Sequence, residues 1–374
     1  MKLKIFDKLE ERKLEGSLRT LKNYSELIDF VSNDYLGLSR SEELFHNINK
    51  TSSVYLNGST GSRLLAGNQS STTDLENKLA KLFNTEATLL FNSGYVANLA
   101  LISTIPQRSD TIIYDSLSHV CLKEGAKLSK AQSYSFKHND IEDLERKLNN
   151  ATGEKFVVIE SVYSMDGDKA EFGPIIELAK KHNAHLIVDE AHSTGMYGDQ
   201  GQGLVCDLGI ETEFFARVYT FGKAMGVHGA AIAGGQQLID YLINFARPFI
   251  YTTALPPHSV KSIDEAFKYI ESHNHLQQTS QDKISLFKKT FEEKIGDSDS
   301  CYKMDSNTPI QPIVVPGNER VKFISSELQS LDFDVRPILS PTVKKDSERL
   351  RISIHTYNTD QQIIELVEKL SSLL

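Results

Sequence analysis

The chain has 374 residues, of which 40% are hydrophobic and 24% are charged, a composition typical of a globular protein with one large and one smaller domain. The net charge is −9 without a block of like charge, which argues against a nucleic-acid backbone as the partner. Three widely spaced cysteines, without CxxC or a His–Cys ligand spacing, favour a reducing, cytoplasmic location and predict no metal site.

The first 16 residues, MKLKIFDKLEERKLEG, are charged throughout. Their apolar members follow a near-helical spacing: Leu3, Phe6, Leu9 and Leu14. A signal peptide needs an apolar core that this segment lacks, and no run in the chain approaches the ~18 apolar residues that span a bilayer. We predict an amphipathic helix that packs on another surface, within an N-terminal arm over residues 1–45, and no membrane partner.

Short apolar segments alternate with amphipathic ones from about residue 70 to residue 235. The segment TDLENKLAKLF (73–83) predicts a helix that begins at a capping box of Thr73 and Glu76. Apolar runs predict strands at 87–91, 111–114, 156–160, 185–189, 217–221 and 230–235. This alternation indicates an α/β fold, with a mostly parallel central sheet covered by helices on both faces. In such folds ligands bind at the carboxyl ends of the strands.

The pattern changes after about residue 255. A long polar helical stretch (259–295) is followed by the strand-like IQPIVV (310–315) and RLRISI (349–354). A closing helix is predicted to begin at a capping box of Thr359 and Gln362. We therefore predict a large α/β domain over residues 46–255 and a smaller C-terminal α+β domain over residues 256–374.

Three predicted strand ends carry polar residues that have ordinary structural explanations when taken alone. At FNSGYVAN (91–98) a strand leads into a helix, and the free N–H groups of such a junction can bind phosphate. Its contacts would be Ser93, Gly94 and Tyr95, although an ordinary tight turn fits equally. His119 follows another strand and Ser164 precedes the turn MDGD, and each is compatible with a plain surface or turn position.

Asp189 ends the apolar run LIVD and begins the string Asp-Glu-Ala-His. A carboxylate at the end of a buried strand needs a partner, because an unpaired buried charge is costly. A protonated ring nitrogen or a metal would serve, and nucleotide hydrolases carry the same string. They also need GxxxxGK[ST], which this chain lacks, and no GxGxxG follows a strand. The nucleotide-hydrolase and dinucleotide-binding alternatives are therefore not supported.

Lys223 lies in TFGKAMG, immediately after the strand-like RVYTF. A desolvated lysine has a lowered pKa and can form a Schiff base with an aldehyde, whereas a solvated turn lysine would be inert. Taken together, this amine, the strand-end Asp189, His119 and the phosphate-binding helix start match the needs of pyridoxal 5′-phosphate. That cofactor requires a lysine for its aldehyde, an acid for its pyridinium nitrogen and an anion site for its phosphate.

From about Arg19 to the C-terminus the chain resembles the α-oxoamine synthases, which are fold-type I pyridoxal-phosphate enzymes. The strings that carry the resemblance are SNDYLGLS (32–39), GSTGSRLLAG (58–67), FNSGYVAN, DSLSHV, SMDGD, VDEAHSTG, TFGKAMG, IYTTALPP (250–257) and RLRISI. The chain departs from the family pattern at Thr60, where glycine is frequent, and at Val120-Cys121, where Ala-Ser is common.

The resemblance implies a role for each matching position. Lys223 would bind the cofactor aldehyde and act as the base, Asp189 would pair with the pyridinium nitrogen, and His119 would stack on the ring. The remaining cofactor contacts would be Ala191 beneath the ring, Ser164 and His192 near its 3-oxygen, and Thr220 with Ser93, Gly94 and Tyr95 at the phosphate. The substrate contacts would be Arg351 for the amino-acid carboxylate, with Arg19, Asn33, His119 and Thr342.

The resemblance also implies the reaction class, a decarboxylating condensation of an amino acid with an acyl thioester carried by coenzyme A or acyl carrier protein. Among the substrate pairs of the family, the resemblance favours alanine with a pimeloyl group; the alternatives are glycine with an acetyl group and then serine with a palmitoyl group. A non-catalytic binding subunit would be expected to lack the lysine, which is present as Lys223. Family members usually form homodimers with shared active sites, so the same is expected here.

Overall fold

The computed structural model describes residues 4–14, 18–21, 26–50, 56–296 and 301–374. Within these ranges the strands are β1 (Ile28–Asp29), β2 (Ala87–Phe91), β3 (Thr111–Asp115), β4 (Gln132–Phe136), β5 (Lys155–Glu160), β6 (Ala184–Asp189), β7 (Ala216–Thr220), β8 (Ala230–Gly234), β9 (Tyr302–Lys303), β10 (Ile310–Val314), β11 (Phe333–Asp334), β12 (Arg336–Ile338) and β13 (Arg349–Ser353). The α-helices are α1 (Asp7–Leu14), α2 (Glu42–Asn49), α3 (Ser70–Leu82), α4 (Gly94–Thr104), α5 (Val120–Leu128), α6 (Ile141–Asn149), α7 (Phe172–His182), α8 (Leu204–Asp207), α9 (Gln236–Phe245), α10 (Arg247–Ile250), α11 (Pro257–Ser272), α12 (His275–Lys294), α13 (Asn318–Ser330) and α14 (Asp360–Leu373).

A seven-stranded sheet of order β2-β8-β7-β6-β5-β3-β4 forms the centre of the molecule. Strand β8 runs antiparallel to its neighbours β2 and β7, and the other pairs are parallel. Strands β5 and β6 place Glu160 and Asp189 opposite each other at their carboxyl ends. The predicted mostly parallel sheet is confirmed, and its parallel strands end on the same edge.

Alternate residues of the central strands enter two separate hydrophobic cores. In β5, Val157 and Ile159 pack in the core that includes α7 and α11, whereas Phe156 and Val158 pack in the core that includes α4, α5 and α9. All four side chains are buried. A strand that is apolar on both faces appears in the sequence as a continuous hydrophobic run, which explains why β5 and β6 were predictable.

A third core belongs to the C-terminal part of the chain. It lies between helices α12, α13 and α14 and the antiparallel sheet β12-β13-β10-β9. Strand β1 pairs with β11 in parallel, and Phe30, just after β1, is fully buried in this same core. The N-terminal segment therefore contributes to the C-terminal core, while the domain boundaries stay a prediction.

Helix α1 forms at the predicted position, but none of its residues is buried. The apolar side chains on this helix and just before it are exposed, with Phe6, Leu9 and Leu14 exposed by 44%, 50% and 89%; Leu3 lies outside the described residues. No surface within the described ranges covers this face of the helix. Nor does any helix in those ranges combine the length and the apolarity that crossing a bilayer demands.

One detail of the predicted helices is wrong. Helix α3 begins at Ser70 rather than at Thr73, and Glu76 does not cap it, because it pairs with Arg63 at 2.8 Å and accepts the Leu90 amide at 2.8 Å. The stretch 259–295 is helical as predicted and is divided between two helices, α11 and α12. The capping box of Thr359 and Gln362 at α14 is confirmed.

His138 joins the central sheet to the turn at residues 164–168. Its Nδ1 lies 3.0 Å from the Asp115 carboxylate at the end of β3, and its Nε2 lies 2.6 Å from Asp168. Although burial alone would lower it, the pKa of His138 is raised to about 10 by these two carboxylates. The imidazolium is therefore the stable form in the folded chain at neutral pH.

Replacing His138 with Gln is expected to destabilise the fold in a pH-dependent way. The folded pKa lies above the ordinary value of 6.5, so the stabilisation is fully present below about pH 6.5 and is lost as pH rises toward 10. Urea unfolding should give a difference of roughly 2 kcal/mol between wild type and variant at pH 6, shrinking by pH 10. A difference that is constant across this range would contradict a charged His138.

Candidate active site

A cavity of about 190 Å³ opens at the carboxyl edge of the central sheet. The ends of β5, β6 and β7 reach it, together with the start of α4 and the turn after β7. Its lining residues are Ser93, Gly94, Tyr95, Asn98, His119, Cys121, Glu160, Asp189, Ala191, His192, Thr220, Gly222, Lys223, His228 and Gly229. Nine of the predicted cofactor contacts are in this set; Ser164 is the predicted contact that does not line the cavity.

Lys223 follows β7, and its Nζ lies 2.7 Å from Nε2 of His192. Burial lowers the pKa of Lys223, against the opposing pull of the Asp189 carboxylate. Burial and the nearby Lys223 charge also hold the pKa of His192 well below its usual range. Burial therefore favours the neutral amine, which is the form that reacts with an aldehyde, and the neutral imidazole of His192 serves as its hydrogen-bond acceptor.

His192 links this amine to a second polar cluster. Its Nδ1 lies 2.8 Å from the Tyr35 hydroxyl, and Tyr35 donates to Oδ1 of Asn33 at 3.0 Å. With the imidazole neutral, acceptance at Nε2 leaves the proton on Nδ1, which then donates to Tyr35. Arg351 donates to the same Asn33 oxygen at 2.9 Å. A continuous hydrogen-bonded chain therefore runs from Lys223 to Arg351.

Asp189 ends β6 and is almost completely buried. Its Oδ2 accepts a hydrogen bond from Nδ2 of Asn98 at 2.7 Å, and its Oδ1 accepts the Ala191 amide at 2.9 Å. Burial raises the pKa of Asp189, while the Lys223 charge works in the opposite direction. The two hydrogen bonds fix the direction of the carboxylate, and a cation in the cavity would favour its ionised form.

Glu160, at the end of β5, is a second buried acid beside Asp189. It accepts the backbone N–H of His119. Burial and the Asp189 charge raise the pKa of Glu160 to about 8, which favours its protonated form at neutral pH. The His119 ring packs edge-on against Tyr95, with ring centroids 6.5 Å apart. Glu160 therefore holds the main chain from which the His119 ring enters the cavity.

The N-terminus of α4 forms the polar end of the cavity. Ser93 caps the helix by accepting the Val96 amide at 3.4 Å. A Cβ on Gly94 would lie 2.2 Å from Cγ2 of Thr220, so only glycine fits there. The Thr220 hydroxyl is buried and has no hydrogen-bond partner within the described part of the chain. An unpaired buried hydroxyl beside free helix N–H groups is a suitable site for an anion.

Arg351 lies on β13 and is buried. Its Nε donates to the Ser164 carbonyl at 2.7 Å, and one terminal nitrogen donates to Ser353 Oγ at 3.0 Å. Across the described ranges, no carboxylate lies within ion-pair distance of its guanidinium. A buried guanidinium that is held only by neutral acceptors is a candidate carboxylate receptor.

The structure does not bring every predicted substrate residue to this region. Arg19 and Thr342 are both exposed, and the described contacts connect neither side chain to the cavity or to Arg351. Ser164 contributes its backbone carbonyl to Arg351, which differs from the predicted side-chain contact with a ring oxygen. The roles of these residues stay predictions.

Among the residues of the site that were not predicted from the sequence, Tyr35, Asn98 and Glu160 make the hydrogen bonds described above. Glu160 could have been predicted from the sequence, because it ends an apolar strand just as Asp189 does. Tyr35 and Asn98 lie inside SNDYLGLS and FNSGYVAN, but no local pattern distinguishes them from packing residues. Their partners His192 and Asp189 lie 157 and 91 positions away along the chain.

Comparison with known proteins places this chain in a characterised family. A family model described as aminotransferase class I and II matches residues 25–370. The 8-amino-7-oxononanoate synthase 2 of Bacillus subtilis (strain 168) is 35% identical over 365 residues, covering 97% of this chain and 90% of that protein. The solved 8-amino-7-oxononanoate synthase from Francisella tularensis superposes with a TM-score of 0.80 at 31% identity, covering 92% of this chain and 97% of that one. A Sphingomonas wittichii serine palmitoyltransferase superposes with a TM-score of 0.87 at 25% identity, covering 99% and 97%.

The fold and its relatives define the class as a fold-type I pyridoxal-phosphate-dependent transferase. The chain belongs to the aminotransferase class I and II family. Its relatives and structural neighbours are α-oxoamine synthases, so the resemblance, the fold class, the enzyme class and the cofactor predicted from the sequence are confirmed. The curated relatives share the 8-amino-7-oxononanoate synthase name at about 35% identity.

Proposed function

We propose that this protein condenses L-alanine with a pimeloyl thioester, with loss of carbon dioxide, to give 8-amino-7-oxononanoate, an intermediate of biotin synthesis. The names of the curated relatives support this choice of substrates. The observation that carries the proposal is the convergence of the Lys223 amine and the buried Asp189 carboxylate on one cavity. The two groups lie at the ends of the neighbouring strands β7 and β6.

The residues of the cavity fit pyridoxal 5′-phosphate from end to end. The unpaired Thr220 hydroxyl and the α4 start at Ser93, Gly94 and Tyr95 would hold the phosphate, since anions bind at free helix N–H groups. Asp189 would face the pyridine nitrogen. The other proposed contacts are Lys223 at the aldehyde, His119 and Ala191 on the two ring faces, and His192 and Ser164 near the 3-oxygen.

When bound, pyridoxal phosphate withdraws electrons from the α-carbon of the amino acid and so makes its proton acidic. Lys223 Nζ would take that proton and later return one, because burial lowers its pKa and a base works best when its pKa is near the ambient pH. The neutral His192, 2.7 Å away, holds the amine in place without adding positive charge.

Asp189 would have a different task, which is to keep the pyridine nitrogen of the bound cofactor protonated. Asn98 and the Ala191 amide direct its two oxygens, so the carboxylate does not need to reorganise during the reaction. Arg351 would receive the carboxylate of alanine, and His119 would pack on the ring and assist the acyl transfer. The α-carbon of alanine would form a bond to the acyl carbon as the thiol of the acyl carrier leaves, and the alanine carboxylate would then leave as carbon dioxide.

The remaining assignments extend this proposal. Arg19, Asn33 and Thr342 are proposed to contact substrate, and the acyl group is carried by coenzyme A or acyl carrier protein. We propose a cytoplasmic homodimer with shared active sites. Thr252 or Thr253 is a candidate for contact with the phosphate bound by the other subunit; the Oγ1 of Thr252 accepts a hydrogen bond from Asn92 at 3.3 Å within the chain.

A thiol-release assay with the purified, pyridoxal-phosphate-loaded protein tests the substrates. Alanine, glycine and serine are each paired with pimeloyl, acetyl and palmitoyl thioesters. We expect L-alanine with the pimeloyl thioester to give the highest kcat/KM by at least about tenfold, since pocket contacts discriminate by that order. Preference for glycine with acetyl would indicate a 2-amino-3-ketobutyrate ligase, and preference for serine with palmitoyl a serine palmitoyltransferase.

A further inference from the structure

The turn at residues 164–168, here called the SMDGD turn, lies between the central sheet and strand β13. It is closed by the bridge between Val162 and Lys169. Within it, the Tyr163 amide donates to the Asp168 carbonyl and the Gly167 amide donates to the Tyr163 carbonyl, both at 2.9 Å. These bonds hold the turn in a compact conformation.

One side of the turn is bound to the C-terminal sheet through several different groups. Arg351 Nε donates to the Ser164 carbonyl at 2.7 Å, and Arg349 pairs with Asp166 at 2.5 Å. The hydroxyls of Ser306 and Thr308 both donate to the Gly167 carbonyl, at 2.9 and 3.0 Å. Arg349 and Arg351 are two residues apart on β13 and therefore project from the same face of the strand.

Gly167 allows this close approach. Its φ is +72°, and a Cβ at this position would lie 2.4 Å from the Ile310 carbonyl oxygen and 2.7 Å from Ser306 Oγ. Any side chain at residue 167 must therefore push the turn away from β10. The other side of the turn is fixed by His138, which pairs with Asp168 and with Asp115 of the central sheet.

The SMDGD turn therefore controls the environment of Arg351. The Ser164 carbonyl is the acceptor for Nε, while Asn33 and Ser353 accept from the two terminal nitrogens. If the Ser164 carbonyl moves, the planar guanidinium must rotate, because its donors have a fixed geometry. The direction in which the guanidinium N–H groups point toward a carboxylate then changes.

We propose that the SMDGD turn is a positioning element that sets the orientation of Arg351 for the amino-acid carboxylate. Asp166, Gly167 and Arg349 are then positioning residues that do not touch substrate. The inference rests on the proposed function, in which Arg351 receives that carboxylate. It predicts a selective defect in amino-acid binding when the turn is displaced.

The test uses the full-length protein loaded with pyridoxal phosphate and the variants Gly167→Ala and Asp166→Asn. The dissociation constants for L-alanine, glycine and L-serine are measured from the change in cofactor absorbance, and the KM values for amino acid and thioester from thiol release. Both variants should weaken amino-acid binding about tenfold or more, since a misplacement of about 1 Å can cost a hundredfold. The thioester KM and the spectrum of the bound cofactor should stay unchanged.

Gly173→Ala is the matched control, because a Cβ at Gly173 meets nothing within 4 Å. If Gly167→Ala and Asp166→Asn both bind amino acids as the control does, the inference is overturned. If Gly167→Ala does not fold, the measurements on Asp166→Asn alone decide the test.

The variant Arg351→Ala distinguishes the positioning role of the turn from the proposed function. If it weakens amino-acid binding and the turn variants do not, the positioning role alone fails; if Arg351→Ala has no effect, the carboxylate assignment fails and the positioning role with it.

Discussion

Lys223→Ala is expected to remove the absorbance of the covalently attached cofactor and to lower turnover by roughly 10⁴-fold or more, the upper range for loss of a positioned acid–base group. The substitution removes both the amine that joins the cofactor aldehyde and the proposed base for the α-proton. His192 cannot replace it, because its pKa is held well below the usual range. The neighbouring Tyr35 and Arg351 are poor bases at neutral pH.

The measurement compares absorbance spectra and thiol release for wild type, Lys223→Ala and Lys127→Ala. Lys127 is an exposed lysine in the last turn of α5, so its variant controls for the loss of one surface charge. Lys127→Ala should match wild type in both measurements. Wild-type turnover in Lys223→Ala would show that the catalytic amine lies elsewhere.

Asp189→Asn is expected to retain the cofactor but to slow removal of the α-proton roughly 10²–10³-fold, the loss seen when one preorganised electrostatic contact is removed. An amide has nearly the same shape as the carboxylate and can still accept a hydrogen bond from Asn98. It cannot balance the positive charge of a protonated pyridine nitrogen. The defect should therefore appear in the chemical step rather than in cofactor retention.

Exchange of the α-hydrogen of L-alanine with deuterated water, followed by NMR, measures this step without the thioester. Asp240→Asn, at an exposed position on α9, is the matched control and should exchange at the wild-type rate. Exchange at that same rate in Asp189→Asn would argue against pairing with the pyridine nitrogen. Loss of cofactor from Asp189→Asn would instead indicate that Asp189 acts mainly in binding the cofactor.

The central strands were predictable because they are buried on both faces, so their residues form unbroken apolar runs. Strand β4 (Gln132–Phe136) was missed, since it lies at the edge of the sheet, four of its five residues are exposed, and its sequence QSYSF is mostly polar. The interruption between α11 and α12 was also missed, because His273 and Asn274 are not strong helix breakers.

The site was partly predictable for a related reason. Asp189 and Lys223 directly follow apolar strands, and the carboxyl ends of parallel strands meet at one edge of a sheet. Tyr35 depends on contacts with His192 and Arg351, which are distant in sequence. Glu76 was wrongly predicted to cap a helix, because only its near neighbours in sequence were considered. Its partner in the structure is Arg63, which lies in a separate loop.

Reduction of the pyridoxal-phosphate-loaded protein with borohydride, followed by peptide mass mapping, identifies the lysine that binds the cofactor. Borohydride makes the bond between the cofactor and its lysine permanent, so the modified residue can be identified. We expect a single adduct, on the peptide that contains Lys223. An adduct on another lysine, with residue 223 unmodified, would contradict this assignment.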